Sequence, residues 1–101
     1  MPIYMTARFQ VRPESVEKCR QAIDEFVADV KRREPRTLLY TSLQERDNPT
    51  RFLHTFIFRD KAALDIHSNS DAVKRFTSVL YPETLAPVEF TEYVVVASTN
   101  E

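Results

Sequence analysis

The chain has 101 residues, 14 basic and 15 acidic, with a net charge of −1; that is one domain's worth of sequence, expected to fold as a single unit over residues 1–101, and it offers no basic excess for nucleic-acid phosphates. It contains no glycine, where average usage would give about seven, so glycine-rich phosphate loops and dinucleotide fingerprints are excluded and the turns fall to Pro, Asn, Asp and Ser. Cys19 has no second cysteine to pair with; with no secretory signal and no apolar run of membrane length, a cytoplasmic setting with no membrane partner is expected.

Residues 3 to 11 alternate, with Ile3, Met5, Ala7, Phe9 and Val11 on one side and Tyr4, Thr6, Arg8 and Gln10 on the other. Period two with one apolar face predicts a strand. Pro13 and Glu14 suit a helix's first turn. Val16, Cys19, Ile23, Phe26, Val27 and Val30 then form one stripe at helical spacing, which places Cys19 in the core as an inert thiol. Lys31, Arg32 and Arg33 crowd the C-terminal end, where cations suit the dipole, and Pro35 stops the helix. Residues 37 to 46 and 51 to 59 read as two strands joined at Asp47-Asn48-Pro49-Thr50. The second carries Phe52, His54, Phe56 and Phe58 on one face and Leu53, Thr55 and Ile57 on the other, so both faces need a cover. Asp60 is the expected cap of a helix over 61 to 67, and Ser70 of another over 71 to 80, buried through Val73, Phe76, Val79 and Leu80. A last strand is expected over 88 to 97, with three consecutive valines at 94 to 96.

The order is strand, helix, strand, strand, helix pair, strand: an α+β chain with the ferredoxin-like βαββαβ arrangement, a four-stranded antiparallel sheet with helices on one face. The other face would carry one of the two residue rows of the 51–59 strand. Such a row is too apolar to leave in water, which predicts that the sheet packs on a second copy in a homodimer.

Four stretches, "ARFQVRPE", "REPRTLLY", "RDNPTRFLHTFIF" and "RDKAALDIHSNSDAVKRF", resemble the antibiotic biosynthesis monooxygenase family from about Ala7 to Leu80. The last is the most specific, with a small-residue helix, a His, a Ser one turn on and a Phe after it. The chain departs from the family pattern at Arg36, where Gly is usual, at His54-Thr55-Phe56, where an acidic residue and an aromatic are usual, and in having no Trp. The missing Trp separates it from haem-degrading relatives. The resemblance implies a dimeric α+β barrel that oxidises a small aromatic or quinol-like substrate with dioxygen, with no haem, flavin or metal. The substrate's own anion would react with oxygen, and the protein would supply a base and a dry apolar pocket.

His67, at the end of the 61–67 helix, is the first candidate base, because an imidazole can take a phenolic proton near neutrality; the plainer reading is a histidine at a helix C-terminus, favoured by the dipole. His54 is the second, set in a row of phenylalanines, with an interface histidine as its plainer reading. Two histidines and one cysteine without ligand spacing do not make a metal site. Tyr40, Tyr4, Phe56, Phe76 and Asn69 are the candidate substrate contacts; packed tyrosines, plain core aromatics and a turn asparagine are the structural alternatives. Arg8, Arg51 and Arg59 are expected on solvated strand positions. Beside the monooxygenase reading stand a non-catalytic ligand-binding or stress-responsive barrel and an isomerase on the same fold, which need no more than a pocket, or a pocket and a base.

Overall fold

The computed structural model describes residues 1–100. Four strands, β1 (Ile3–Gln10), β2 (Thr37–Gln44), β3 (Arg51–Phe58) and β4 (Glu89–Tyr93), form one antiparallel sheet in the order β2-β3-β1-β4. Three helices, α1 (Val16–Arg33), α2 (Lys61–Ser68) and α3 (Asp71–Leu80), complete the ferredoxin-like βαββαβ chain.

Register decides which face the helices cover. Ile3, Met5, Ala7 and Phe9 of β1 stand opposite Phe58, Phe56, His54 and Phe52 of β3, and Tyr40 of β2 stands opposite Phe56. This is the covered face: Phe52, His54, Phe56 and Phe58 are all buried. Leu53, Thr55 and Ile57 lie on the open face beside Leu39 and Leu43, which are 43% and 48% exposed. The choice between the two rows of β3 is thereby made, and the open face is the aliphatic one.

α1 buries Cys19, Ile23, Phe26 and Val30, the stripe its spacing predicts. α3 packs across it, with the Phe26 and Phe76 rings stacked at 4.5 Å between centroids. Pro13 and Glu14 belong to a short 3-10 turn, Pro13–Ser15, and α1 proper begins at Val16. Both expected caps form: Asp60 accepts from the Ala63 N–H and Ser70 from the Val73 N–H, at 2.9 and 3.1 Å. The glycine-free turns need no left-handed residue, since no described residue has positive φ. In the β2–β3 turn the Asn48 side chain accepts from both the N–H and the hydroxyl of Thr50, which closes the hairpin without a glycine.

The last strand is shorter than expected. β4 ends at Tyr93, opposite Tyr4, and Val94–Val96 are exposed outside the sheet. The register explains the stop: continuing it would set Val95 against Pro2, which has no N–H to give, and Val96 against Met1. β1 likewise ends at Gln10 rather than Val11, which makes only an isolated bridge to Thr84. That corner is held by Glu83. Its carboxylate accepts from Ser15, from Arg12 at 2.6 Å and from Lys18 at 3.0 Å, and the Ser15 and Lys18 bonds hold it down to about 2. No helix among the described residues is long and apolar enough to cross a membrane.

Candidate active site

Between the covered face and the helices lies a cavity of about 200 Å³. Its floor is sheet: Ala7, Tyr40, His54 and Phe56. Its walls come from Phe26, His67 and Phe76 on the three helices, and Tyr81 and Phe90 stand half-exposed at its rim. An engineered cavity of about 150 Å³ lined with aliphatic and aromatic groups holds benzene, so this space takes one aromatic ring with small substituents.

His67 is 8% exposed and its Nδ1 lies 2.8 Å from Glu34 Oε1. Glu34 is itself buried, directly after α1, and also accepts from the Thr37 hydroxyl at 2.9 Å. A carboxylate can only accept, so the neutral imidazole carries its hydrogen on Nδ1 and its lone pair on Nε2. A histidine held this way by a carboxylate is oriented as a proton acceptor. The helix-end reading also holds in part, since His67 sits in the last turn of α2.

His54 is 1% exposed, and its Nδ1 lies 2.7 Å from the Tyr40 hydroxyl. Burial pushes the imidazole down to about 4, so it is neutral at pH 7, and burial pushes the Tyr40 phenol far above its ordinary value. His54 Nε2 is sealed from solvent and has no hydrogen-bond partner among the described residues. Counting donors assigns the tautomer. If Tyr40 donates to Nδ1, one group is left unpaired, the Nε2–H. If Nδ1–H donates to Tyr40, both the buried phenol hydrogen and the Nε2 lone pair are left unpaired. The second arrangement costs a further ~1–3 kcal/mol, so Tyr40 donates and Nε2 carries the hydrogen.

The rings make one continuous aromatic wall. Tyr40 lies 5.3 Å from His54 and 5.7 Å from His67 between ring centroids, and stacks on Phe56 at 4.9 Å. Phe76 lies over His54 at 6.0 Å, and Phe26 beside His67 at 5.7 Å. Among the described residues no group of three or more His, Cys, Asp or Glu side chains is placed to hold a metal ion.

The family model for antibiotic biosynthesis monooxygenases matches residues 2–78. The chain belongs to the antibiotic biosynthesis monooxygenase family. Solved structures agree on the fold. One from Bacteroides thetaiotaomicron, named for the same family, is 18% identical over 97% of this chain and 92% of its own, with a TM-score of 0.89. One from Mycobacterium tuberculosis is 21% identical over 98% and 99%, with a TM-score of 0.87. One from Pseudomonas aeruginosa is 25% identical over 95% of each chain, with a TM-score of 0.84. No curated protein matches the sequence.

In this family member, five of the seven residues singled out from sequence meet at the cavity: His67, His54, Tyr40, Phe56 and Phe76. Two do not. Tyr4 lies on the open face of the sheet, in register with Ile57 and Tyr93, because its strand alternates and its neighbours Ile3 and Met5 take the inner side. Asn69 is exposed and closes α2, its side chain donating to the Asp65 carbonyl at 2.8 Å. Arg8, Arg51 and Arg59 are exposed, as their strand positions predict. Glu34 escaped the sequence reading. A signal was present: an acidic residue straight after Lys31-Arg32-Arg33 opposes the helix dipole, so its place needs another reason.

Proposed function

We propose that the protein is a homodimeric monooxygenase that oxidises a small aromatic, quinol-like substrate with dioxygen and no bound cofactor. The observation that carries this is the Glu34–His67 pair on the wall of an apolar cavity sized for one ring. His67 Nε2 takes the proton of a substrate hydroxyl, and the carboxylate of Glu34 steadies the imidazolium that results. The arenolate gives an electron to dioxygen, and the two radicals join at a ring carbon. Loss of that carbon's hydrogen and cleavage of the O–O bond leave one oxygen on the ring as a quinone carbonyl and release the other as water. One arenol and one dioxygen thus give one quinone and one water, with four electrons drawn from the ring. The surrounding phenylalanines keep water from the arenolate.

The homodimer is supported by the open sheet face, where Leu39 and Leu43 stand exposed beside Leu53 and Ile57. The lone, buried Cys19 suits a cytoplasmic location.

Oxygen consumption by metal-free protein with a panel of hydroquinones and catechols tests the reading. Uptake above blank that falls by a factor of roughly 10²–10⁴ in His67→Ala is expected. Uptake equal in both proteins would overturn the role of His67 as the base. No uptake from any substrate would overturn the oxygenase reading in favour of ligand binding or isomerisation.

A further inference from the structure

The residue that holds His67 is itself held. Glu34 ends α1, its N–H bonded to the Val30 carbonyl at 2.9 Å. Pro35 follows and keeps Glu34 out of the helical region, at φ −125° and ψ 75°. Glu34-Pro35-Arg36-Thr37 is a β-turn: the Thr37 N–H donates to the Glu34 carbonyl at 3.1 Å, and Pro35 takes the position that its fixed φ suits. No described residue has positive φ, which excludes the type II form and lets Arg36 stand where that form would favour glycine. The turn brings the half-buried Thr37 side chain back onto Glu34. Its hydroxyl donates to Oε1 at 2.9 Å, the same oxygen that lies 2.8 Å from His67 Nδ1. One buried carboxylate oxygen thus joins the first residue of β2 to the last turn of α2.

We propose that Thr37 is a positioning residue for the His67 base and acts through Glu34. This deepens the oxygenase reading and rests on it for what His67 Nε2 acts upon. A glutamate side chain turns freely about several bonds, and fixing it costs conformational entropy. Here the turn and the Thr37 hydroxyl fix Oε1 during folding, so the imidazole meets an oxygen already in place. The bond is charge-assisted and buried, and therefore stronger than one between neutral groups in water. Without the hydroxyl, Glu34 and His67 still face each other, but Oε1 is held from one side only. The imidazole then samples more orientations, and Nε2 is aimed at a ring hydroxyl for a smaller share of the time. Thr37 does not line the cavity, so its effect reaches the reacting atoms only through this chain of bonds.

Thr37→Val tests this, because it keeps the branched shape at the start of β2 and the backbone bond of the turn while removing the hydroxyl. Thr37→Ala is a second donor-free variant, and Thr37→Ser returns the donor. Oxygen uptake with the hydroquinone that the wild type oxidises fastest should show kcat lower by about fivefold or more in Thr37→Val, with KM within about twofold and most of the loss restored in Thr37→Ser. In a Glu34→Ala background the same Thr37→Val change should cost less than about twofold, since the group it acts through is gone. A second readout needs no turnover. In free protein carrying 15N-labelled histidine, His67 should be protonated on Nδ1, and that hydrogen should exchange with water about tenfold faster in Thr37→Val and Thr37→Ala than in the wild type or Thr37→Ser. Exchange and kcat unchanged in both donor-free variants, an undiminished effect of Thr37→Val in the Glu34→Ala background, or a Thr37→Ser no better than Thr37→Val would each overturn the proposal. If no hydroquinone is oxidised, the oxygenase reading fails by itself, and the exchange rates alone decide the role of Thr37.

Discussion

His67 and Glu34 are 33 positions apart and touch only because α1 and α2 end at the same corner of the sheet. Removing the carboxylate while keeping the shape separates orientation from packing. Glu34→Gln should lower kcat by about tenfold or more, through loss of the fixed tautomer, and steady-state oxygen uptake is the measurement. Glu34→Ala should also cost ~1–3 kcal/mol of stability, because it strands the His67 N–H and the Thr37 hydroxyl; urea denaturation reads that cost. His54 makes a pH prediction. Its folded value is about 4 against 6.5 for the ordinary imidazole. Between those values the unfolded chain binds a proton that the folded chain refuses. Stability therefore falls as pH drops from 6.5 to 4, by at most about 3 kcal/mol, and is level above 7 for this group. Melting temperatures from pH 7 to 4, compared with a Tyr40→Phe, His54→Phe double variant, should show the slope removed with the pair.

At the scale of the element, local chemistry was a reliable guide. The stripe of α1, the Asp60 and Ser70 caps and the alternation of β1 and β3 each follow from side chains within a few residues of one another, and each stands in the structure. Ser70→Ala should therefore cost ~1 kcal/mol, within the usual range for a lost N-cap, with the loss read by thermal melting and the cavity unchanged because Ser70 does not line it. Strand ends were less legible. β4 stops at Tyr93 because its neighbour β1 runs out of donors at Pro2, a fact about a strand more than 90 positions away. Val94–Val96 read as strand by composition and are not paired.

For the whole molecule, the exposed leucines of the open face set the expectation of association. Sedimentation at micromolar concentration should give about twice the mass of one chain, and replacing Leu39 and Leu43 with Lys should return the single chain, since buried lysines at a sheet-to-sheet contact are strongly disfavoured. A wild-type protein that sediments as one chain would remove the dimer from the proposed function. The Glu83 clamp ties the α3–β4 connection to the start of α1 through Ser15, Arg12 and Lys18. Its value near 2 lies below the ordinary 4.5, so its stabilisation is complete above the ordinary value and is lost as pH falls through 2. Acid unfolding should move to higher pH in Glu83→Gln.

The sequence by itself determined the element order, the caps, the family and two histidines worth testing, because periodicity, capping and motif spacing are short-range properties of the chain. It left open which row of β3 faces the helices, because both rows are apolar and only pairing with β1 distinguishes them. It did not reveal that Glu34 holds His67, that Tyr40 holds His54, or that Tyr4 faces away from both. Those are long-range contacts set by register and helix packing, and the opposite polarity of the two imidazoles exists only once the fold has supplied each with its partner.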